Sequence, residues 1–149
     1  MLWYTHAVAG ATAGALIFKD TNNLILTASI CAASALLPDI DLPASKVGGN
    51  HKAVSKTINF IFGHRTITHS LMGFGLFVAL FSLLVPQKYL EMIAIGYISH
   101  LATDMLNPAG IPLFWPVKKR FGIPLIKAGG ILEHVLLVFC LVLIKTITG

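Results

Sequence analysis

The sequence has 149 residues, a mean hydropathy of +0.81 and a net charge of +5, and only 11% of its residues are charged. Soluble domains usually carry about 25% charged residues, so this composition excludes a surface that faces water throughout. The length predicts one domain, residues 1–149. In a membrane protein, basic loops indicate orientation and anionic lipid, so we expect membrane lipid as a partner and no nucleic acid.

Five apolar runs predict the main elements in chain order. They are Leu2–Phe18, Leu24–Leu37, Leu71–Val85, Leu90–Leu106 and Ile131–Ile144. A helix that spans a bilayer needs about 20 residues, with a range of roughly 17–25, so the first and fourth runs are long enough and the second and third are short. The sequence therefore predicts an all-α, integral membrane bundle of about five apolar helices.

The two long connections differ from these runs in composition. Residues 38–52 are rich in turn residues and predict an ordered loop. Ala53–Phe62 carries an apolar stripe at helical spacing, which is typical of an interfacial amphipathic helix. Residues 107–130 contain four prolines and four glycines, which excludes a long helix there.

The basic residues predict the orientation. With five spans, the N-terminus and the 38–70 and 107–130 connections share one side, and only Lys19, Lys88 and Lys145 lie on the other. The shared side carries Lys46, Lys52, Lys56, Arg65, Lys118, Lys119, Arg120 and Lys127. The positive-inside rule then places that side in the cytoplasm. We expect a multi-pass protein of the bacterial inner membrane with a cytoplasmic N-terminus.

Most acidic and histidine side chains fall at the ends of the runs that face this basic side. The candidates are His6, Asp39, Asp41, His64, His69, His100, Asp104 and Glu133. His100 and Asp104 are four residues apart, so on a helix their Cβ atoms lie about 5–6 Å apart and one metal ion can bridge them. A simple His–Asp hydrogen bond is the alternative. Ionisable groups inside apolar helices are nonetheless functional by default.

Two further segments have the chemistry of a metal site. Asp39 and Asp41 follow a helix C-terminus, where negative charge is disfavoured unless a cation lies between them, although turn formation also explains them. In the segment GHRTITHS, Ser70 is a candidate helix cap, and His69 near that helix N-terminus is biased toward the neutral form that binds metals. Arg65 suits a phosphate oxygen, and His64 is a donor, an acid or a ligand.

Four segments together resemble the bacterial YdjM-like family of membrane proteins. They are Thr5–His6, Leu36–Ser45, His64–Ser70 and Gly96–Gly110. Family members are described as LexA-regulated, membrane-bound, metal-dependent hydrolases, and the family is more distantly similar to zinc-dependent phospholipases C and single-strand nucleases. The resemblance implies a role in the SOS response and metal ligation by His6, Asp39 or Asp41, His69, His100, Asp104 and Glu133. One or two zinc ions are the expected cofactors, because the last helix keeps only Glu133 and His134.

These observations lead to one main hypothesis and two alternatives. The main hypothesis is a metal-dependent hydrolase that acts on a phosphoester or lipid ester at the cytoplasmic membrane surface. A carboxylate, Asp39 or Asp41, would orient or deprotonate water, and Arg65 would stabilise charge on the phosphoryl oxygens. His64 is a further catalytic candidate, as a donor or an acid. The alternatives are a divalent-metal transporter, which requires polar groups at several depths, and a non-catalytic membrane protein with a structural metal site.

Overall fold

The computed structural model describes residues 1–62 and 66–148, apart from the side chains of three residues, 58, 61 and 62. This part of the chain is mainly helical, and its β pairing is a single antiparallel bridge between Ile111 and Phe121. Its helices are α1 (Trp3–Ile17), α2 (Leu24–Ser34), α3 (Lys46–Asn50), α4 (Lys52–Phe62), α5 (Leu71–Ser82), α6 (Gln87–Met105) and α7 (Ile131–Thr148). Two 3-10 helices, Leu37–Asp41 and Ile67–His69, precede α3 and α5. The all-α prediction is confirmed.

Each of the five predicted apolar helices is present near its predicted bounds, but their lengths do not establish five spans. At 1.5 Å per residue, α1, α2 and α5 are only about 16–23 Å long, against a hydrocarbon core of about 30 Å. Within the described residues, Leu24–Asp41 and Ile131–Thr148 are long and apolar enough to cross a membrane. The five-span bundle stays a prediction.

Local capping explains where two of the helices begin. The Asn23 side chain accepts a hydrogen bond from Leu26 N at the start of α2. Ser70 Oγ accepts one from Gly73 N at the start of α5. Both side chains satisfy a backbone N–H that has no partner within its helix. The predicted cap at Ser70 is confirmed.

Glycines allow α1, α2 and α6 to pack closely. A β carbon added at Gly10, Gly14 or Gly96 would collide with Cys31 of α2. Such close approach of helix backbones is typical of small residues at helix interfaces in membranes. In addition, α7 packs on α1 and α5 packs on α6. The three closely packed helices bring the start of α1, the end of α2 and the end of α6 to one end of the molecule.

The connections follow the predicted pattern with one difference. Residues 38–52 form more helix than the expected loop, because the first 3-10 helix and α3 occupy most of them. Helix α4 confirms the predicted helix at Ala53–Phe62, and it leaves Val54 and Phe60 exposed. No helix forms between residues 107 and 130, as the prolines and glycines predict.

Candidate metal centre

Three imidazoles and two carboxylates from four elements meet at this end of the molecule. His6 comes from α1, Asp39 from the first 3-10 helix, His69 from the second, and His100 and Asp104 from α6. The donor atoms of His6, Asp39 and His100 lie within 4.8 Å of one another, as do those of His69, His100 and Asp104. We call these five residues the donor cluster. Residues separated by up to 98 positions in the chain thus form one site.

The distances within the donor cluster centre on His69 and His100. Their Nε2 atoms lie 3.2 Å apart. Oδ1 of Asp39 lies 3.6 Å from His69 Nε2 and 3.9 Å from His100 Nε2. Oδ2 of Asp104 lies 3.7 Å and 3.8 Å from the same two atoms. His6 Nε2 lies 3.4 Å from Asp104 Oδ1, and its ring stacks on that of His100 with centroids 3.8 Å apart.

The hydrogen bond of His100 fixes which ring nitrogen carries the hydrogen. Its Nδ1 lies 2.7 Å from the carbonyl oxygen of Ala35. A carbonyl oxygen only accepts, so Nδ1 must donate. In the neutral imidazole, Nε2 therefore has the lone pair, and Nε2 faces His69 and the two carboxylates.

For each of the other two histidines, a threonine hydroxyl accepts the hydrogen bond from Nδ1. Thr68 Oγ1 donates to Asp41 Oδ2 at 2.8 Å, so its oxygen accepts from His69 Nδ1 at 3.0 Å. Thr103 Oγ1 donates to backbone carbonyls of its own helix and accepts from His6 Nδ1 at 2.8 Å. Hydrogen bonds of this kind orient metal-ligating histidines. All three Nε2 atoms are thus left as acceptors inside the donor cluster.

The chemistry and spacing of the donor cluster fit a divalent metal ion. With Zn–N and Zn–O bonds of about 2.0–2.2 Å, neighbouring ligand atoms of a tetrahedral site lie roughly 3.3–3.6 Å apart. The closest donor pairs, at 3.2–3.9 Å, are near that spacing. Imidazole nitrogen and carboxylate oxygen are also ligand types that zinc accepts.

Burial distinguishes Asp39 from the rest of the donor cluster. The side chains of His6, His69, His100 and Asp104 are at most 1% exposed, whereas that of Asp39 is 15% exposed. Buried charges are costly unless they are paired or bind a metal. Asp39 is thus the member of the donor cluster that solvent or a ligand reaches.

Two predicted ligands lie outside both groups of three donors. Asp41 approaches His69 from the other side, with Oδ2 3.7 Å from Nδ1, and it holds Thr68. Asp39 and Asp41 lie in one 3-10 helix, and their side chains reach opposite sides of the His69 ring, at Nε2 and at Nδ1. Glu133 accepts hydrogen bonds from Leu2 N and Gly129 N, both at 2.6 Å, and so links α7 to the chain before α1.

The remaining predicted residues, His64 and Arg65, lie outside the described residues, so their roles stay predictions. Sequence reasoning also missed Thr68 and Thr103. Each directly precedes a ligand candidate, His69 or Asp104. A threonine at such a position more often hydrogen bonds to nearby backbone groups, so its sequence position alone does not indicate this role. The partner of each hydroxyl becomes evident only when the distant elements are brought together.

Comparison with known proteins places these residues in a family context. A model of the family described as YdjM inner membrane protein matches residues 1–149. Inner membrane protein YdjM of Escherichia coli (strain K12) is 44% identical over 99 residues, which are 62% of this chain and 50% of that protein. The protein of the same name from Shigella flexneri gives the same values.

The alignment with another relative covers more of both chains. Uncharacterized protein YvsG of Bacillus subtilis (strain 168) is 35% identical over 136 residues, which are 89% of this chain and 85% of that protein. By contrast, the chain spans about half the length of the curated YdjM proteins. No solved structure matches the chain.

Proposed function

The chain belongs to the YdjM inner membrane protein family, and from that premise we propose that it is a membrane-bound, metal-dependent hydrolase of phosphoesters or lipid esters. The observation that carries the proposal is the convergence of three imidazole Nε2 atoms, each held in the accepting form by a hydrogen bond at Nδ1. If the only role of these residues were to pack in the interior, three Nε2 atoms in the accepting form would not need to face one another.

His6, His69, His100, Asp39 and Asp104 would hold one or two zinc ions. Zinc in such a site supplies a Lewis acid and an activated water at neutral pH. Asp39 is suited to orient or deprotonate that water, because its carboxylate is the part of the donor cluster open to solvent. The hydrogen bonds from Thr68 and Thr103 keep the imidazoles in place while charge changes at the site.

We place the site at the cytoplasmic surface of the inner membrane. Its residues lie at the end of the molecule where α1 and α5 begin and α6 ends, and the connections at that end carry most of the basic residues. A basic end is the cytoplasmic end under the positive-inside rule. The exposed apolar side chains of α4, Val54 and Phe60, suit insertion at the level of the lipid headgroups.

Metal content and turnover test the proposal together. We expect purified wild-type protein to bind zinc stoichiometrically and to hydrolyse at least one member of a panel of phospholipids and phosphodiesters. His100→Ala and Asp104→Ala should lose both properties. Glu91→Ala is the matched control, because Glu91 is exposed and hydrogen bonds only to Gln87 among the described residues. Stoichiometric zinc without turnover of any substrate would refute the hydrolase.

One observation favours a second candidate, a non-catalytic membrane protein with a structural metal site. Four of the five donors are almost fully buried, as is typical of closed structural sites. In that case chelation would unfold the protein and no substrate would turn over. The transporter alternative has less support, since the described donors gather in one cluster rather than at several depths.

A further inference from the structure

An open pocket lies beside the donor cluster. It has a volume of about 410 Å³, and its lining includes Trp3, Asp39, Ser45 and Lys46. Through Asp39, the pocket shares a residue with the donor cluster. A molecule in this pocket therefore reaches the donor cluster at the partly exposed carboxylate of Asp39.

Lys46 provides a positive charge in the same pocket. It is the one lysine or arginine among the described lining residues, and its side chain is exposed. The other cation of the lining, the terminal ammonium of Met1, donates to Asp104 Oδ1 at 2.8 Å. No described carboxylate lies within ion-pair distance, 4.0 Å, of its ammonium group. Its Nζ lies 5.1 Å from the centroid of the Trp3 ring. This cation–π contact orients the ammonium group and leaves its charge available to an anion.

A short loop fixes the position of Lys46 relative to Asp39. The hydroxyl of Ser45 donates to the backbone oxygen of Asp39 at 2.6 Å and accepts from Gly48 N at 2.9 Å. The same side chain therefore holds the start of α3, where Lys46 lies, against the 3-10 helix that carries Asp39. The pocket has a defined cation on its rim and the donor cluster at its inner side.

We propose that this pocket binds the phosphate group of the substrate and that Lys46 donates a hydrogen bond to a phosphate oxygen. The inference rests on the proposed function, because without a metal the Asp39 carboxylate would repel an anion. A divalent ion in the donor cluster would make this side of the pocket attractive to an anion. Phosphate is a multiply charged acceptor that can contact the cluster and Lys46 at once. A neutral ester would gain little from the ammonium group of Lys46.

Phosphate titration of the zinc-loaded full chain tests this pocket. The protein is kept in a phosphate-free maltoside detergent, excess zinc is removed, and inorganic phosphate binding is followed by calorimetry. Lys46→Gln should weaken phosphate binding by about tenfold, the effect of losing one charge-assisted hydrogen bond. Lys46→Arg should retain the affinity within about threefold. Lys88→Gln, which removes an exposed lysine at the start of α6, should match wild type.

Two further ligands distinguish the sources of the phosphate. Glycerol 3-phosphate represents a soluble phosphoester, and short-chain phosphatidic acid carries the same group on a lipid. Tighter binding of phosphatidic acid, with the same loss in Lys46→Gln, assigns a lipid substrate. Equal affinities assign a soluble one.

The outcomes for the pocket and for the proposed function are separable. If all variants bind zinc and Lys46→Gln binds phosphate as wild type does, the pocket proposal is overturned and the metal centre stands. If wild-type protein binds no zinc, the proposed function fails, and the pocket proposal fails with it.

Discussion

At the scale of single residues, the orientation of each imidazole depends on a group outside the donor cluster. The Ala35 carbonyl, Thr68 and Thr103 each accept a hydrogen bond from an Nδ1 atom. Without such a partner, a histidine exchanges between two tautomers and several ring orientations. These three contacts should therefore raise metal affinity without touching the metal.

Replacing Thr68 by valine tests this role. Thr68→Val keeps the size of the side chain but removes the link between Asp41 and His69, so we expect zinc affinity to fall by about 10–100-fold. Thr68→Ser should retain most of the affinity, because it restores the hydroxyl. Competition with a fluorescent chelator measures both affinities. The control is Thr57→Val, since Thr57 is exposed and, among the described residues, its hydroxyl bonds only to the Ala53 carbonyl of its own helix. Equal affinity of Thr68→Val and wild type would show that this contact is dispensable.

Sequence reasoning at this scale identified the residue types but not all of their roles. It predicted that His69, His100 and Asp104 would meet a set of further ligands, namely His6, Asp39 or Asp41, and Glu133. The structure brings together all of these except Asp41 and Glu133, which lie outside both groups of three donors. It treated Asp39 and Asp41 as equivalent, whereas they lie on opposite sides of the His69 ring. The difference depends on the 3-10 conformation, which the turn-rich sequence around Pro38 does not specify.

At the scale of secondary structure elements, close packing of α1, α2 and α6 positions the donor cluster. Gly96 lies one turn before His100 in α6, and a β carbon there would collide with the Cys31 carbonyl and Ser34 Oγ of α2. Moving α6 away from α2 would also lengthen the hydrogen bond between His100 and Ala35. Helix packing and metal-site geometry are thus coupled at Gly96.

Gly96→Ala should therefore destabilise the protein. An added methyl group in a packed interface typically costs about 1–3 kcal/mol, and we expect a lower unfolding temperature together with weaker zinc binding. Gly75→Ala is the matched control, because a β carbon at Gly75 of α5 meets no atom within 4 Å. That variant should be neutral or slightly stabilised. Thermal unfolding in detergent compares the two, and equal melting temperatures would contradict the packing argument.

The helices themselves were the most predictable part of the fold. Long apolar runs and the prolines and glycines of residues 107–130 determined where helices form and where they do not. The lengths of the apolar helices were less predictable. The second run was predicted to be helical to Leu37, but α2 ends at Ser34 and a 3-10 helix that contains Pro38 follows it. Composition alone does not show where a regular helix gives way to such a turn.

At the scale of the whole molecule, polarity is distributed unevenly between the two ends. The donor cluster and Lys46 lie at one end, where α1 and α5 begin and α6 ends. Most of the exposed large side chains of α5 and α7 are apolar, including Leu80 and Phe139, and the exceptions His134 and Lys145 lie toward the two ends of α7. Apolar helix surfaces below a polar end suit a protein that is embedded in a lipid bilayer with its polar end at one surface.

Cysteine labelling tests the proposed orientation. The native Cys31 and Cys140 are buried, so they should react little with a membrane-impermeant maleimide. In intact cells, we expect Lys88→Cys to be labelled from outside the inner membrane and Lys119→Cys to be labelled only after permeabilisation. The reverse pattern would place the donor cluster on the opposite side of the membrane.

X-ray absorption spectroscopy of the zinc-loaded protein tests the central claim most directly. If the donor cluster holds the metal, the spectrum should show nitrogen and oxygen ligands at about 2.0–2.2 Å, with the outer-shell scattering of imidazole rings and no sulfur. His100→Ala should lose part of the imidazole scattering or the zinc itself. A spectrum without imidazole scattering, or one with sulfur at about 2.3 Å, would contradict a site built from these histidines and aspartates.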